Sequence, residues 1–110
     1  MRVYVSGPMT GQPDLNRPLF ARVADAWRRR GLDVINPHEI DFPAVWSTLR
    51  PGSAFRHRWR DYMLVDLAVL LTCRAIVMLP GWEQSPGARL EYQTAQALGL
   101  VVFDEQDIDD

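Results

Sequence analysis

Apolar positions change their spacing along this chain, and each change marks an element. Residues 2–6, in "RVYVSG", form a β-branched and aromatic run closed by glycine, which predicts a first strand. Leu19, Phe20, Val23 and Trp27 then recur at helical spacing, behind Asn16 as N-cap and Pro18 in the first turn, and Gly31 closes that helix. "LDVIN" is a short second strand, stopped by Pro37. Residues 38–55 form a proline-containing connection too long to be bare, expected to be functional or partly helical. A second helix is predicted over 56–72, and "RAIVMLP" behind it is apolar enough for a fully buried strand. A third helix over 86–98 ends at Gly99, and "LVVF" supplies a fourth strand. No internal repeat or low-complexity segment interrupts the pattern.

Strand and helix alternate throughout, which predicts an α/β fold: a parallel four-stranded sheet with helices on both faces and right-handed crossovers. The expected form is a small flavodoxin-like or Rossmann-like three-layer sandwich with strand order 2-1-3-4. Such sheets bind ligands beyond the carboxyl ends of their strands, where the order reverses. Here the reversal falls between the first and third strands, so the loops "SGPMTGQPDLN" and "PGWEQS" should converge on a site.

Composition narrows the classes. At 110 residues, 47% of them hydrophobic, the chain suits one domain, assigned to 1–103, followed by an acidic tail over 104–110. No apolar run approaches the ~20 residues of a membrane span, and no signal-peptide pattern opens the chain, so a cytoplasmic protein is expected. Cys73 stands alone in "LLTCRAIV" and reads as a buried packing thiol; His38 and His57 match no metal-ligand spacing. Neither metal nor cofactor is therefore expected. All twelve basic residues are arginine, which excludes a P-loop lysine and a Schiff-base lysine. Five of the fourteen acids lie in the last seven residues, so twelve arginines face nine acids over 1–103, a net +3. That balance suits a small anionic ligand and is too weak for duplex DNA. The tail is expected to be solvated and partly disordered.

Several residues are candidates for chemistry. In "GWEQSPGARLE", Ser85 suits an N-cap and Pro86 a first helical turn, and a helix start favours anions. Gly87, Ala88 and Glu91 share one helix face, leaving a shelf about one turn deep, the size of a ribose. Glu91 is either a solvated residue paired with Arg89 or a carboxylate facing a ligand; spacing leaves both open. Asp66 falls inside the apolar stripe Trp59, Tyr62, Met63, Val69 and Leu70, where a carboxylate is either paired or turned to a cleft with a raised pKa. Tyr4, near the carboxyl end of the first strand, either packs in the core or delivers its hydroxyl to the ligand edge. Trp82 either stacks on a base or caps the core. "GPMTG" is glycine-rich but matches neither GxGxxG nor Walker A.

"VYVSGPMTG", "DYMLVDLAVLLTCRAIVMLPGW" and "SPGARLE" together resemble the nucleoside 2-deoxyribosyltransferase-like superfamily, above all its short phage and bacterial members. The resemblance spans residues 3–103 with the three blocks in order. It implies cleavage or transfer of the N-glycosidic bond of (deoxy)nucleosides or their 5′-monophosphates, with retention, through a glutamate nucleophile matched by Glu91. It also implies that Tyr4 orients that glutamate and that Asp66 positions or protonates the substrate. Ser85 matches a serine that contacts phosphate in the monophosphate hydrolases, related enzymes of the superfamily. The substrate-binding set would be Ser6, Gly7, Pro8, Met9, Thr10 and Gly11 from the first loop, with Gly81, Trp82, Ser85 and Gly87. Two features depart from the pattern. Met9–Thr10 stand where the hydrolases carry an arginine, and the tail holds no equivalent of the residue that transferases borrow from a neighbouring subunit. The expected partner is a small nucleoside or nucleotide, without nucleic-acid polymer or membrane. The alternative is a nucleotide-binding module of the same fold that has lost turnover. The predicted middle helix carries surplus apolar residues (Trp59, Met63, Val65, Leu67, Leu71), and with the resemblance this implies a homodimer or higher homo-oligomer.

Overall fold

The structure, a computed structural model, describes residues 1–107. Strands β1 (Arg2–Ser6), β2 (Asp33–Ile35), β3 (Ala75–Met78) and β4 (Val101–Asp104) form one sheet in the order β2-β1-β3-β4. Every neighbouring pair is parallel, with Tyr4 opposite Ile35 on one side and Ile76 on the other. Helices α1 (Arg17–Arg29), α2 (Phe42–Leu49), α3 (Trp59–Leu70) and α4 (Pro86–Ala97) complete the α/β architecture. The predicted fold class and strand order are both observed. None of the described helices is long and apolar enough to cross a membrane.

Alternation along each strand splits the core in two. Val3, Val5, Ala75, Val77 and Leu79 face Phe20, Val23, Ala24 and Trp27 of α1. Tyr4, Ile76 and Met78 face the other way, onto Leu70 of α3 and Ala88 and Ala95 of α4. Side chains of period two on a central strand thus feed two separate layers.

Local signals account for where the elements differ from expectation. The connection over 38–55 is partly helical, one of its two expected forms: Asp41 accepts a hydrogen bond from the Ala44 amide at 3.1 Å and Pro43 lies in the first turn, so α2 begins at Phe42. The next helix starts three residues later than predicted. The buried Asp61 carboxylate draws the backbone amides of Arg56 and Arg58 out of helical register, at 2.8 and 3.4 Å, and His57 takes a φ of +59° between them. Asn16 does precede α1, but it does not cap it. Asp14, Leu15 and Asn16 all have positive φ, and the Asn16 side chain instead donates to the Pro8 carbonyl at 2.9 Å, tying down the first loop. The acidic tail is ordered at its start: Asp104 belongs to β4, and its amide donates to Asp107 at 2.8 Å. Residues 108–110 of that tail lie outside the described residues. In α3, Met63 and Val65 are buried within the chain, Met63 beside Gly87 of α4. The surplus apolar surface behind the expected homodimer is thereby reduced to Trp59 and Leu71 among its large exposed side chains, at 59% and 57% exposure.

Candidate active site

Two residues apart on β1, Tyr4 and Ser6 project from the same face at the carboxyl end of the sheet. Across from them α4 delivers Glu91 from the face that also buries Ala88 and Ala95. Tyr4 Oη donates to Glu91 Oε2 and Ser6 Oγ to Glu91 Oε1, both at 2.6 Å. Those lengths are typical of hydroxyls bound to a carboxylate. All three residues are buried, Tyr4 completely and Glu91 at 6% exposure, so the solvated reading of Glu91 is excluded. Arg89, its alternative partner, donates instead to the Glu83 carbonyl.

Asp66 joins this pair from α3. The residue is half-buried, but its Oδ1 is shut off from solvent and has no hydrogen-bond partner among the described residues. It is therefore not the satisfied core aspartate that spacing left open. Burial, reinforced by the charge of Glu91, raises the Asp66 carboxyl to about 8 against the pull of Tyr4. Burial also raises Glu91, to about 7, while the Ser6 and Tyr4 hydroxyls hold it down. Tyr4 is pushed well above its ordinary value by burial and then by Glu91 and Asp66, so it remains a donor. The two carboxyls differ because Glu91 receives two hydroxyl donors and Asp66 Oδ1 receives none. Near neutral pH the charge therefore concentrates on Glu91 and the proton on Asp66.

Above the pair opens a cavity of about 970 Å³, at the strand-order reversal where a doubly wound sheet takes its ligand. Ser6, Gly7, Pro8, Met9 and Thr10 line it, together with Gly81, Ser85, Gly87, Glu91 and Asp66. Tyr4 sits beneath it as a support for Glu91. Ser6 touches both the cavity and Glu91, a second role that its expectation as a substrate contact did not include. Gly7 has a packing reason as well: a Cβ there would lie 2.6 Å from Leu79 Cβ, so only glycine lets the ends of β1 and β3 approach this closely.

Two expected contacts are not brought together with the rest. Gly11 lies outside the lining and occupies a left-handed turn position, φ +83°, with open space around it. Trp82 packs on Tyr92 at 4.4 Å between ring centroids and covers the sheet core instead of facing the cavity. A residue in the turn between a strand and a helix can face either way, and here the stacking partner in the second turn of α4 decides.

The start of α4 offers fewer donors than a generic helix N-terminus. Ser85 accepts from the Ala88 amide at 3.2 Å, as its N-cap assignment requires, and Pro86 has no N–H. The Gly87 amide and the Ser85 hydroxyl hydrogen are what remain for a ligand. The sequence reading also missed an entire wall. Phe42 of α2 and Tyr62 of α3 line the cavity, backed by Phe55, with Tyr62 Oη 2.9 Å from His57 Nδ1. Arg17, from the first turn of α1, is the only arginine among the lining residues. Its signal was its place immediately after the first loop; that of Phe42 was the Asp–Phe–Pro helix start.

A family model described as a domain of unknown function, DUF4406, matches residues 1–104. The chain belongs to the DUF4406 family. No curated protein matches the sequence. The DUF4406 match ends on Asp104, the last residue of β4, and so takes in Tyr4, Ser6, Asp66 and Glu91 together with the cavity they underlie. No three His, Cys, Asp or Glu side chains gather as metal ligands among the described residues of this DUF4406 domain.

Proposed function

We propose that this protein cleaves or transfers the N-glycosidic bond of (deoxy)nucleosides or nucleoside 5′-monophosphates, with Glu91 as nucleophile and retention at the anomeric carbon. The observation that carries the reading is the Tyr4–Glu91–Ser6 arrangement beneath a ligand-sized cavity that Asp66 also lines. Neutral hydroxyls favour the charged form of a buried carboxylate without an ion pair, the state a nucleophile requires.

In the first step a Glu91 oxygen bonds to C1′ while the C1′–N bond breaks, its electron pair leaving with the base. Asp66 gives its proton to that base nitrogen. In the second step water, losing its proton to Asp66, attacks C1′ of the glycosyl ester and frees Glu91; a second base in place of water makes the reaction a transfer. Neither Glu91 oxygen is free, because Ser6 holds the one that Tyr4 does not. A carboxylate oxygen with one hydrogen bond keeps a second lone pair for attack. Ser85 and the Gly87 amide are the proposed donors to a 5′-phosphate.

The same Ser6 bond favours a second reading, a nucleotide-binding module whose glutamate is fully tied down. Incubation with a panel of nucleosides and 5′-monophosphates, with free base measured by chromatography, separates the two. Base release by the parent, lost in Glu91→Gln, supports catalysis. Tight binding without base release across the panel supports the module.

A further inference from the structure

From residue 42 to residue 60 the chain carries four arginines, Arg50, Arg56, Arg58 and Arg60, and not one carboxylate. The weak average charge of the domain hides this concentration. Arg58 pairs with Asp61 at 3.5 Å, whereas Arg50, Arg56 and Arg60 have no carboxylate partner among the described residues. All four are exposed.

Trp59 ties this segment to the candidate site. It lines the cavity yet is 59% exposed, which places it at the mouth. Its indole Nε1 lies 3.9 Å from where a Cβ on Gly87 would stand, so its N–H edge borders the start of α4. Arg58 and Arg60 are its chain neighbours, one Cα–Cα step of about 3.8 Å to either side. The Arg56 backbone is tied to the first turn of α3 through Asp61 at 2.8 Å. The proposed position for a first phosphate, beside Ser85 and Gly87, is therefore bordered by an indole N–H, and the exposed Arg58 and Arg60 flank that tryptophan in the chain. That donor set exceeds what one phosphate uses. It also compensates for the single free amide that Pro86 and the Ser85 cap leave at the helix start.

We propose that the site takes nucleotides with a 5′-polyphosphate tail, the first phosphate at Ser85 and Gly87 and the outer ones on the Trp59–arginine rim. This rests on the reading of the cavity as a nucleotide site and extends it from monophosphates to di- and triphosphates. Charge-assisted contacts from exposed arginines are sensitive to salt, so the preference should be too.

The test is calorimetric titration of the full chain carrying Glu91→Gln, to prevent turnover, with the four 2′-deoxynucleoside mono- and triphosphates in EDTA. The triphosphate of the preferred base should bind about tenfold more tightly than its monophosphate at about 0.01 M salt, where the screening length is about 30 Å, the gap narrowing at about 0.5 M, where it is about 4 Å. Adding Arg56→Gln and Arg60→Gln should shrink that ratio to about two- or threefold. Adding Arg22→Gln and Arg29→Gln, which removes the same charge from exposed positions on α1, should leave it. Equal affinity for mono- and triphosphate, or equal ratios in the two arginine variants, overturns the polyphosphate assignment while leaving the nucleotide reading intact. No binding of any nucleotide overturns both.

Discussion

The two faces of the sheet are built from the same strands and obey different rules. Toward α1, β1 contributes Val3 and Val5 to a layer of valine, alanine, leucine and aromatic side chains. Toward α3 and α4 the alternate residues, Tyr4 and Ser6, carry hydroxyls, and both meet the Glu91 carboxyl at the edge of a layer that also holds Leu70, Ile76, Met78, Ala88 and Ala95. One residue of translation along β1 separates a face that stabilises from a face that holds charge. Desolvating Glu91 and Asp66 works against folding, and the apolar face must offset it. The difference teaches where to look for function in a small parallel sheet: on the face where alternation delivers polar groups that the core has no need of.

The largest effect expected from breaking this contrast is on Glu91. Glu91→Gln keeps size and hydrogen-bonding capacity but removes the charge, so base release should fall by at least about 10³-fold. Nucleotide affinity by calorimetry should survive. A variant retaining most of the parent's activity would show that the polar face is not the catalytic one.

The matching change on the other face is Trp27→Ala. Trp27 is buried in the apolar layer and lies outside the cavity lining, and its truncation should remove roughly 3–5 kcal/mol of stability in a urea titration. Activity per folded molecule should change little. A loss under about 1 kcal/mol would mean that this face is not what supports the site.

Asp66→Asn should move stability and activity in opposite directions. Removing the proton donor should slow base release about 10²-fold, and activity plotted against pH should lose the limb that falls above about 8. For stability the sign follows from proton counting. Native Asp66 holds a proton up to about 8, whereas the unfolded chain loses it near its ordinary value of 3.8. Across that window the native state binds more protons, so stability falls as pH rises from about 4 to 8. Asparagine removes this dependence, and the variant should melt several degrees higher than the parent at pH 8 and little differently at pH 4. Scanning calorimetry at the two pH values checks it; an equal shift at both would sink the assignment of the proton.

Tyr4→Phe is the mildest change. The hydroxyl helps hold the Glu91 carboxyl down, so its loss should raise that carboxyl further above 7. The rising limb of the pH–rate profile should shift to higher pH, with a loss of about tenfold or less at pH 8. An unshifted limb would assign control of Glu91 to Ser6 alone.

Much of this was legible beforehand. The sheet order followed from the strand–helix alternation, and Tyr4, Asp66 and Glu91 were each singled out before any contact was known. Ser6 shows the limit of that legibility. It was expected as a substrate contact, although its i, i+2 relation to Tyr4 already placed both hydroxyls on one face of β1. Helix α2 falls in the connection that length alone marked as functional or partly helical; Asp41 and Pro43 signal its start. Trp82 had two available surfaces, and only its packing against Tyr92 chose between them.

By itself the sequence determined the periodicities: where the chain extends, where it coils, and which residues share a face. Those properties depend on neighbours a few positions away, and steric and hydrophobic rules act strongly at that range. Only the tertiary structure decided which oxygens meet. Tyr4 and Ser6 lie 87 and 85 residues from Glu91, and nothing local distinguishes a carboxylate that accepts two hydroxyls from one that is solvated. The raised Asp66 carboxyl has the same origin, since desolvation and a neighbouring charge are properties of the packed interior. The positions were local; their electrostatics came from the fold.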